Sequence, residues 1–232
     1  MIYWFLKYVA IGPLVKAVFR PWIIGRENVP ASGAAILASN HLSFADSIFL
    51  PLVLDRPMSF LAKSDYFTGR GLKGWATRMF MKGTGQLPID RSGGKASEAS
   101  LNTGLSVLGR GDLLGIYPEG TRSPDGKLYR GRTGIARMAL EARVPVIPVV
   151  MVDTDVAMPI GQRIPNVMRV GMVIGEPLDF SRYEGMENDR YILRSVTDEI
   201  MVALHRLGQQ TYEDVYASTV KDRLKASVTE AP

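Results

Sequence analysis

A chain of 232 residues is long enough for one α/β domain with a real core and leaves too little for a second. Its 46% hydrophobic and 22% charged residues exclude a largely disordered chain. The absence of cysteine excludes a disulfide framework, a thiolate zinc site and a covalent intermediate on a thiol, while the net charge of +5 favours anionic partners: nucleic acid, phosphorylated metabolites or an acidic membrane surface.

Residues 1–24 carry Tyr3, Trp4, Phe5, Tyr8, Phe19 and Trp22 together with Lys7, Lys16 and Arg20, and no acid. That is membrane-interface composition. A span needs about 20 consecutive apolar residues, but Lys7 and Lys16 interrupt this run and Gly12-Pro13 breaks it. The pattern predicts two short helices lying in the interface, with Pro13 in the first turn of the second. No small-residue cleavage site marks a signal peptide.

Residues 22–25 and 34–39 read as short buried strands, and 46–54 as a helix beginning near Ser43. A strand over 58–62, a helix over 72–81, a strand over 87–89 and a helix over 95–108 follow, the last stopped by Gly109-Arg110-Gly111. Residues 113–117, 146–150 and 167–174 complete the strands, with a helix over 134–142 between the first two. This alternation predicts an α/β fold with a mixed, mostly parallel central sheet flanked by helices. Trp75, Met79, Phe80 and Met81 on the 72–81 helix read as core rather than as the lining of a groove. In 189–207, Leu193, Val196, Ile200, Ala203, Leu204 and Leu207 recur at helical spacing, with His205 on the opposite face. Residues 161–166 read as an irregular loop. After Gln210 the periodicity weakens, which predicts a frayed helix and a loose end over 229–232. The expected organisation is an anchor over 1–24, an α/β domain over 25–210 and a polar tail over 211–232.

One of only two histidines, His41, sits at a strand-to-helix junction five residues before Asp46. A general base for a hydroxyl needs a pKa near neutrality and a partner that sets its tautomer, and an imidazole beside a carboxylate supplies both. Five residues along one helix would put the two about 140° apart around the axis, so His41 belongs in the turn before the helix. A capping box, Ser43 with Asp46 three residues on, explains the same residues structurally, and both readings can hold together. Beyond the strand over 113–117 lies Pro118-Glu119-Gly120-Thr121-Arg122, at the strand end where sheets of this kind bind ligands. Arg122 can fork onto a phosphate, and Glu119 can accept from a substrate hydroxyl or hold the loop; an ordinary turn with a solvated ion pair is the structural alternative.

Taken in order, Asn40-His41 to Asp46, Ile89-Asp90-Arg91, Tyr117 to Ser123 and Val144-Pro145-Val146-Ile147-Pro148-Val149 resemble the four blocks of the 1-acylglycerol-3-phosphate (lysophosphatidic acid) acyltransferases. Ala62-Lys63 and Tyr129-Arg130-Gly131 extend the resemblance, and Tyr117 stands where Phe is more usual. The blocks occupy roughly half the chain, and their order is more specific than any one of them. The resemblance implies that His41 deprotonates the acceptor hydroxyl and Asp46 orients it. It further implies that Lys63, Arg91 and Arg122 hold the acceptor phosphate and that Glu119, Gly120 and Thr121 position the acceptor. The fourth block reads as a buried structural strand.

The expected reaction is direct transfer of a fatty acyl group from a thioester of coenzyme A or acyl carrier protein to the free hydroxyl of a lysophosphatidic acid-like glycerolipid in phospholipid synthesis, with no metal and no other cofactor. The lack of cysteine and of a G-x-S-x-G elbow argues against an acyl-enzyme; a backbone N–H near Gly120 is the candidate oxyanion donor. Expected partners are an anionic membrane surface, a lysophospholipid or glycerol phosphate acceptor and acyl-CoA, with peripheral or monotopic placement on the cytoplasmic face. Alternatives are acylation of glycerol 3-phosphate or another lysophospholipid, transacylation, or a membrane-docking scaffold without turnover. Ser92-Gly93-Gly94-Lys95-Ala96-Ser97 fails the P-loop template, and no nucleic-acid recognition module accompanies the scattered basic residues.

Overall fold

The computed structural model describes residues 2–89, 94–162 and 164–229. The N-terminal helices α1 (Ile2–Phe5) and α2 (Ile11–Phe19) are joined by a π-helical stretch, Leu6–Ala10, rather than separated at Gly12-Pro13 as the sequence predicts. The wide turn, closed by the Ile11 N–H on the Leu6 carbonyl, shifts the backbone register just before the position where Pro13 lacks a donor. Among the described residues no helix is long and apolar enough to cross a membrane.

There follow β1 (Trp22–Ile24), β2 (Ala35–Ser39), α3 (Asp46–Val53), β3 (Met58–Lys63), α4 (Gly71–Gly83), β4 (Gln86–Ile89), α5 (Gly94–Gly109), β5 (Leu113–Ile116), β6 (Leu128–Tyr129), α6 (Gly134–Ala142), β7 (Val146–Val152), α7 (Thr154–Ala157), β8 (Gly171–Ile174), α8 (Arg190–Gly208), β9 (Tyr212–Glu213) and α9 (Ala217–Thr229). Among the described residues, seven strands form one sheet in the order β1-β8-β7-β2-β5-β3-β4, parallel throughout except where β7 meets β8. This is the mixed, mostly parallel sheet expected.

β2 is buried along its whole length because helices cover both faces. Its alternate residues divide between two cores: Ile36 and Ala38 pack with α5, α6 and α8 through Leu101, Met138 and Ile200, while Ala35 and Leu37 pack with Phe19, Phe49 and Leu50. α8 turns Val196, Ile200 and Leu204 inward and leaves His205 exposed, as the periodicity requires.

Three further expectations change. Trp75 is 56% exposed rather than core, because α4 turns Gly74 and Met81 inward. Lys7 does not reach an interface: it is buried, and its Nζ donates to the carbonyls of Pro51 (2.9 Å) and Leu54 at the C-terminal end of α3. The segment after Gln210, expected as a polar tail with a frayed helix, forms β9 in parallel with β6 and then α9.

Candidate active site

β2 leaves the sheet at Ser39, and Asn40 fastens the turn that follows. The buried Asn40 side chain accepts from the Met151 N–H (2.8 Å), donates to the Met151 carbonyl (3.1 Å) and donates to Gln210 Oε1 (2.7 Å). His41 is thereby held at the C-terminal end of a central strand, ahead of α3. Its Nδ1 lies 2.9 Å from Asp46 Oδ2, which also accepts the N–H groups of Leu42 (2.8 Å) and Ser43 (2.9 Å).

An ionised carboxylate only accepts, so this partnership assigns the proton to Nδ1 and leaves Nε2 as the basic nitrogen. The second Asp46 oxygen, Oδ1, is buried without a hydrogen-bond partner among the described residues. The Ser43 N–H on Asp46 supplies one half of the expected capping box, but Ser43 Oγ accepts from the Ala45 N–H (3.3 Å) rather than from that of Asp46, and donates to the Met158 carbonyl (2.9 Å).

The imidazole is also clamped through its face. Tyr117 stacks on it with centroids 3.8 Å apart and planes 10° from parallel, and Phe60 backs Tyr117 at 5.4 Å. The Tyr117 hydroxyl lies 2.8 Å from Ser47 Oγ, and burial raises its pKa well above the usual phenol value.

The loop after β5 is laced onto the His41 turn. Glu119 is buried; Oε1 accepts the His41 N–H (3.3 Å) and Oε2 the Tyr129 N–H (3.0 Å), while the Ser123 N–H donates to the His41 carbonyl (2.7 Å). Burial pushes the Glu119 carboxyl up to about 8, against the opposing pull of the two N–H donors. Gly120 turns the chain at φ +74°, where an added Cβ would also press on the Arg132 side chain at 3.0 Å. Its N–H donates to the Tyr117 carbonyl (3.0 Å) and is therefore committed within the loop.

These elements enclose a cavity of about 310 Å³. His41, Lys63, Gly120, Thr121 and Arg122 all line it, with Tyr117, Phe80 and Met81 among the apolar walls, so Phe80 and Met81 line a groove where the sequence suggested core alone. Asp46 lies behind His41, and Glu119 is not among the lining residues. Lys63 is exposed and ion-paired with Asp65. Arg91 and the adjoining Asp90, Ser92 and Gly93 lie outside the described residues. Sequence reasoning missed the stacking role of Tyr117, the hold of Gln210 on Asn40, and Lys221, whose Nζ donates to Thr121 Oγ1 at 2.8 Å. The aromatic preference at position 117 was the only local signal for any of the three.

A family model described as Acyltransferase matches residues 20–152. The chloroplastic 1-acyl-sn-glycerol-3-phosphate acyltransferase LPAT1 of Arabidopsis thaliana is 32% identical over 169 residues, or 72% of this chain and 46% of its own. The 1-acyl-sn-glycerol-3-phosphate acyltransferase of Bacillus subtilis is 27% identical over 192 residues, 81% of this chain and 89% of its own. The chain thus spans about half the length of the plant relatives it matches. The crystal structure of the 1-acyl-sn-glycerophosphate (LPA) acyltransferase PlsC of Thermotoga maritima aligns with a TM-score of 0.64 at 26% identity, covering 89% of this chain and 78% of that one.

Proposed function

This chain belongs to the acyltransferase family, and from that premise we propose that it transfers a fatty acyl group from a thioester of coenzyme A or acyl carrier protein to the free hydroxyl of 1-acylglycerol 3-phosphate. The observation that carries the reading is the His41–Asp46 pair (2.9 Å) in the wall of a cavity that also holds Arg122 and Lys63. A base and a phosphate-binding arginine in one cavity match an acceptor that bears both a hydroxyl and a phosphate.

In the proposed reaction the acceptor oxygen attacks the thioester carbonyl carbon while His41 Nε2 takes the hydroxyl proton. Asp46 stabilises the imidazolium through Nδ1. The tetrahedral intermediate collapses by breaking the C–S bond, and the imidazolium returns its proton to the leaving thiolate. Tyr117 keeps the ring in plane during both transfers, and Glu119 acts on the His41 backbone rather than on the acceptor. The exposed apolar residues of α1, the π-helical stretch, α2 and α4, among them Phe5, Tyr8, Leu14, Leu72 and Trp75, would lie in the membrane interface, where the lipid acceptor resides.

A panel of lysophospholipid, monoacylglycerol and glycerol 3-phosphate acceptors against one labelled acyl-CoA, with product regiochemistry determined, tests the assignment. Lysophosphatidic acid should be acylated fastest. His41→Ala and Asp46→Asn should each lower turnover about 10²–10⁴-fold while the variants still sediment with anionic vesicles. Wild-type protein that releases no thiol with any donor and acceptor would leave a membrane-docking scaffold instead.

A further inference from the structure

The C-terminal segment reaches the site from a part of the chain that none of the four sequence blocks includes. It is fastened along the loop that carries Glu119 to Arg122. Gln210 Nε2 donates to the Gly126 carbonyl (2.6 Å), β9 pairs with β6, Lys127 Nζ meets Glu213 Oε1 (2.6 Å), and the Arg132 guanidinium donates to Ser218 Oγ (3.1 Å) while lying over the Tyr216 ring. These contacts hold the start of α9 in register against the loop. One turn further on, Lys221 meets Thr121.

Lys221 is placed at an electrostatic cost. Its Nζ spends one donor on a neutral hydroxyl of a residue that lines the cavity, and among the described residues neither Lys221 nor Arg122 has an ion-pair partner. Burial and the neighbouring charges of Arg122 and Lys225 push the Lys221 pKa down, opposed by Glu119. Three cations of the same region are ion-paired, Lys63 with Asp65, Lys127 with Glu213 and Arg130 with Asp214, while Arg132, against Gly120, meets Ser218 and the Tyr216 ring. Lys221 does not itself line the cavity but meets its wall through Thr121, next to Arg122; two repelling cations so placed gain from an anion between them, and an ammonium with two donors to spare can bind its oxygens.

We infer that Lys221, delivered by the C-terminal helix, is a further cation of the acceptor-phosphate site and binds a phosphate monoester jointly with Arg122. The inference rests on the acceptor proposed above. It assigns part of the specificity for a phosphorylated acceptor to a residue about a hundred positions beyond the loop it completes.

The test compares full-chain wild type, Lys221→Met and Lys221→Arg on lysophosphatidic acid and on monoacylglycerol of the same chain length, each with acyl-CoA and with acyl-pantetheine as donor. Lys221→Met should raise KM for lysophosphatidic acid about ten-fold with kcat within about two-fold, with either donor, and leave monoacylglycerol kinetics unchanged; Lys221→Arg should restore most of the loss. An unchanged KM overturns the inference, as does an equal loss on both acceptors, which is what a purely structural staple gives. A loss confined to acyl-CoA also overturns it, since that would place the donor's phosphates at Lys221. A separate arm measures equilibrium binding of glycerol 3-phosphate without a donor. If wild type acylates no phosphorylated acceptor, the proposed function fails by itself. Lys221 is then judged on this arm: binding about ten-fold weaker in Lys221→Met upholds it, and equal or absent wild-type binding overturns it.

Discussion

His41 has one nitrogen committed to Asp46 and one face committed to Tyr117, so its orientation is set by two independent contacts. Glu119 illustrates a second residue-scale device, a carboxylate spent on backbone. Its two N–H partners join the His41 turn to β6, and burial lifts its pKa to about 8. An unfolded glutamate titrates near ~4.3, so between these values the folded chain binds more protons than the unfolded one. The corresponding stability is fully present below about pH 4.3 and is lost as pH rises through about 8. Thermal unfolding of wild type should therefore fall between about pH 5.5 and about pH 8.5 by more than that of Glu119→Gln, whose amide does not titrate. The variant should also be less stable overall, by about 1–3 kcal/mol, because one backbone N–H now faces an amide N–H. Parallel pH profiles for the two proteins would place the proton uptake elsewhere.

At the scale of elements, the N-terminal helices are tied to the domain by a buried cation as well as by apolar packing. Lys7 takes the carbonyls of Pro51 and Leu54, groups that a helix C-terminus leaves without internal partners. The aromatic rings of Tyr3, Trp4 and Tyr8 surround its ammonium at 5.5–5.9 Å. Burial lowers its pKa to about 8. Lys7→Met keeps the volume but strands the two carbonyls, and it should cost about 1–3 kcal/mol. Limited proteolysis is the direct readout: cleavage within the N-terminal helices should accelerate in the variant while the α/β domain stays intact. Unchanged cleavage would mean that packing alone holds α1 and α2. A polar count of the N-terminus suggests three cations for an interface, whereas the fold leaves only Lys16 and Arg20 exposed there.

At the scale of the whole molecule, α1 packs beside α4, and both carry exposed apolar residues. Leu72 is 81% exposed and Trp75 56%, and exposed Lys73 and Lys82 share their helix. Leu72→Glu combined with Trp75→Glu should weaken sedimentation with anionic vesicles by about ten-fold or more, given ~1.5–3 kcal/mol for burying one such side chain. Turnover on detergent-dispersed acceptor should change little, because neither residue lines the cavity. Equal vesicle binding by the variant would locate the docking surface elsewhere.

The chain's local patterns by themselves determined the alternation of strands and helices, the inward stripe of α8, and the placement of His41 before α3, because each depends on residues within a few positions of one another. Each block of the family resemblance is likewise a short local pattern, and their order along the chain is read directly from the sequence. Only the tertiary structure decided which side chains share a cavity. Gln210 reaches Asn40 across 170 positions and Lys221 reaches Thr121 across 100, distances over which no periodicity or spacing rule operates. It also decided the state of Lys7, whose sequence surroundings suggest a solvated interface charge but whose nearest partners come from α3, and of Trp75, which one step around a helix moves from core to surface. Read alone, the segment after Gln210 is polar and weakly periodic; it folds because the loop carrying Glu119 to Arg122 offers it a strand to pair with and charges to meet.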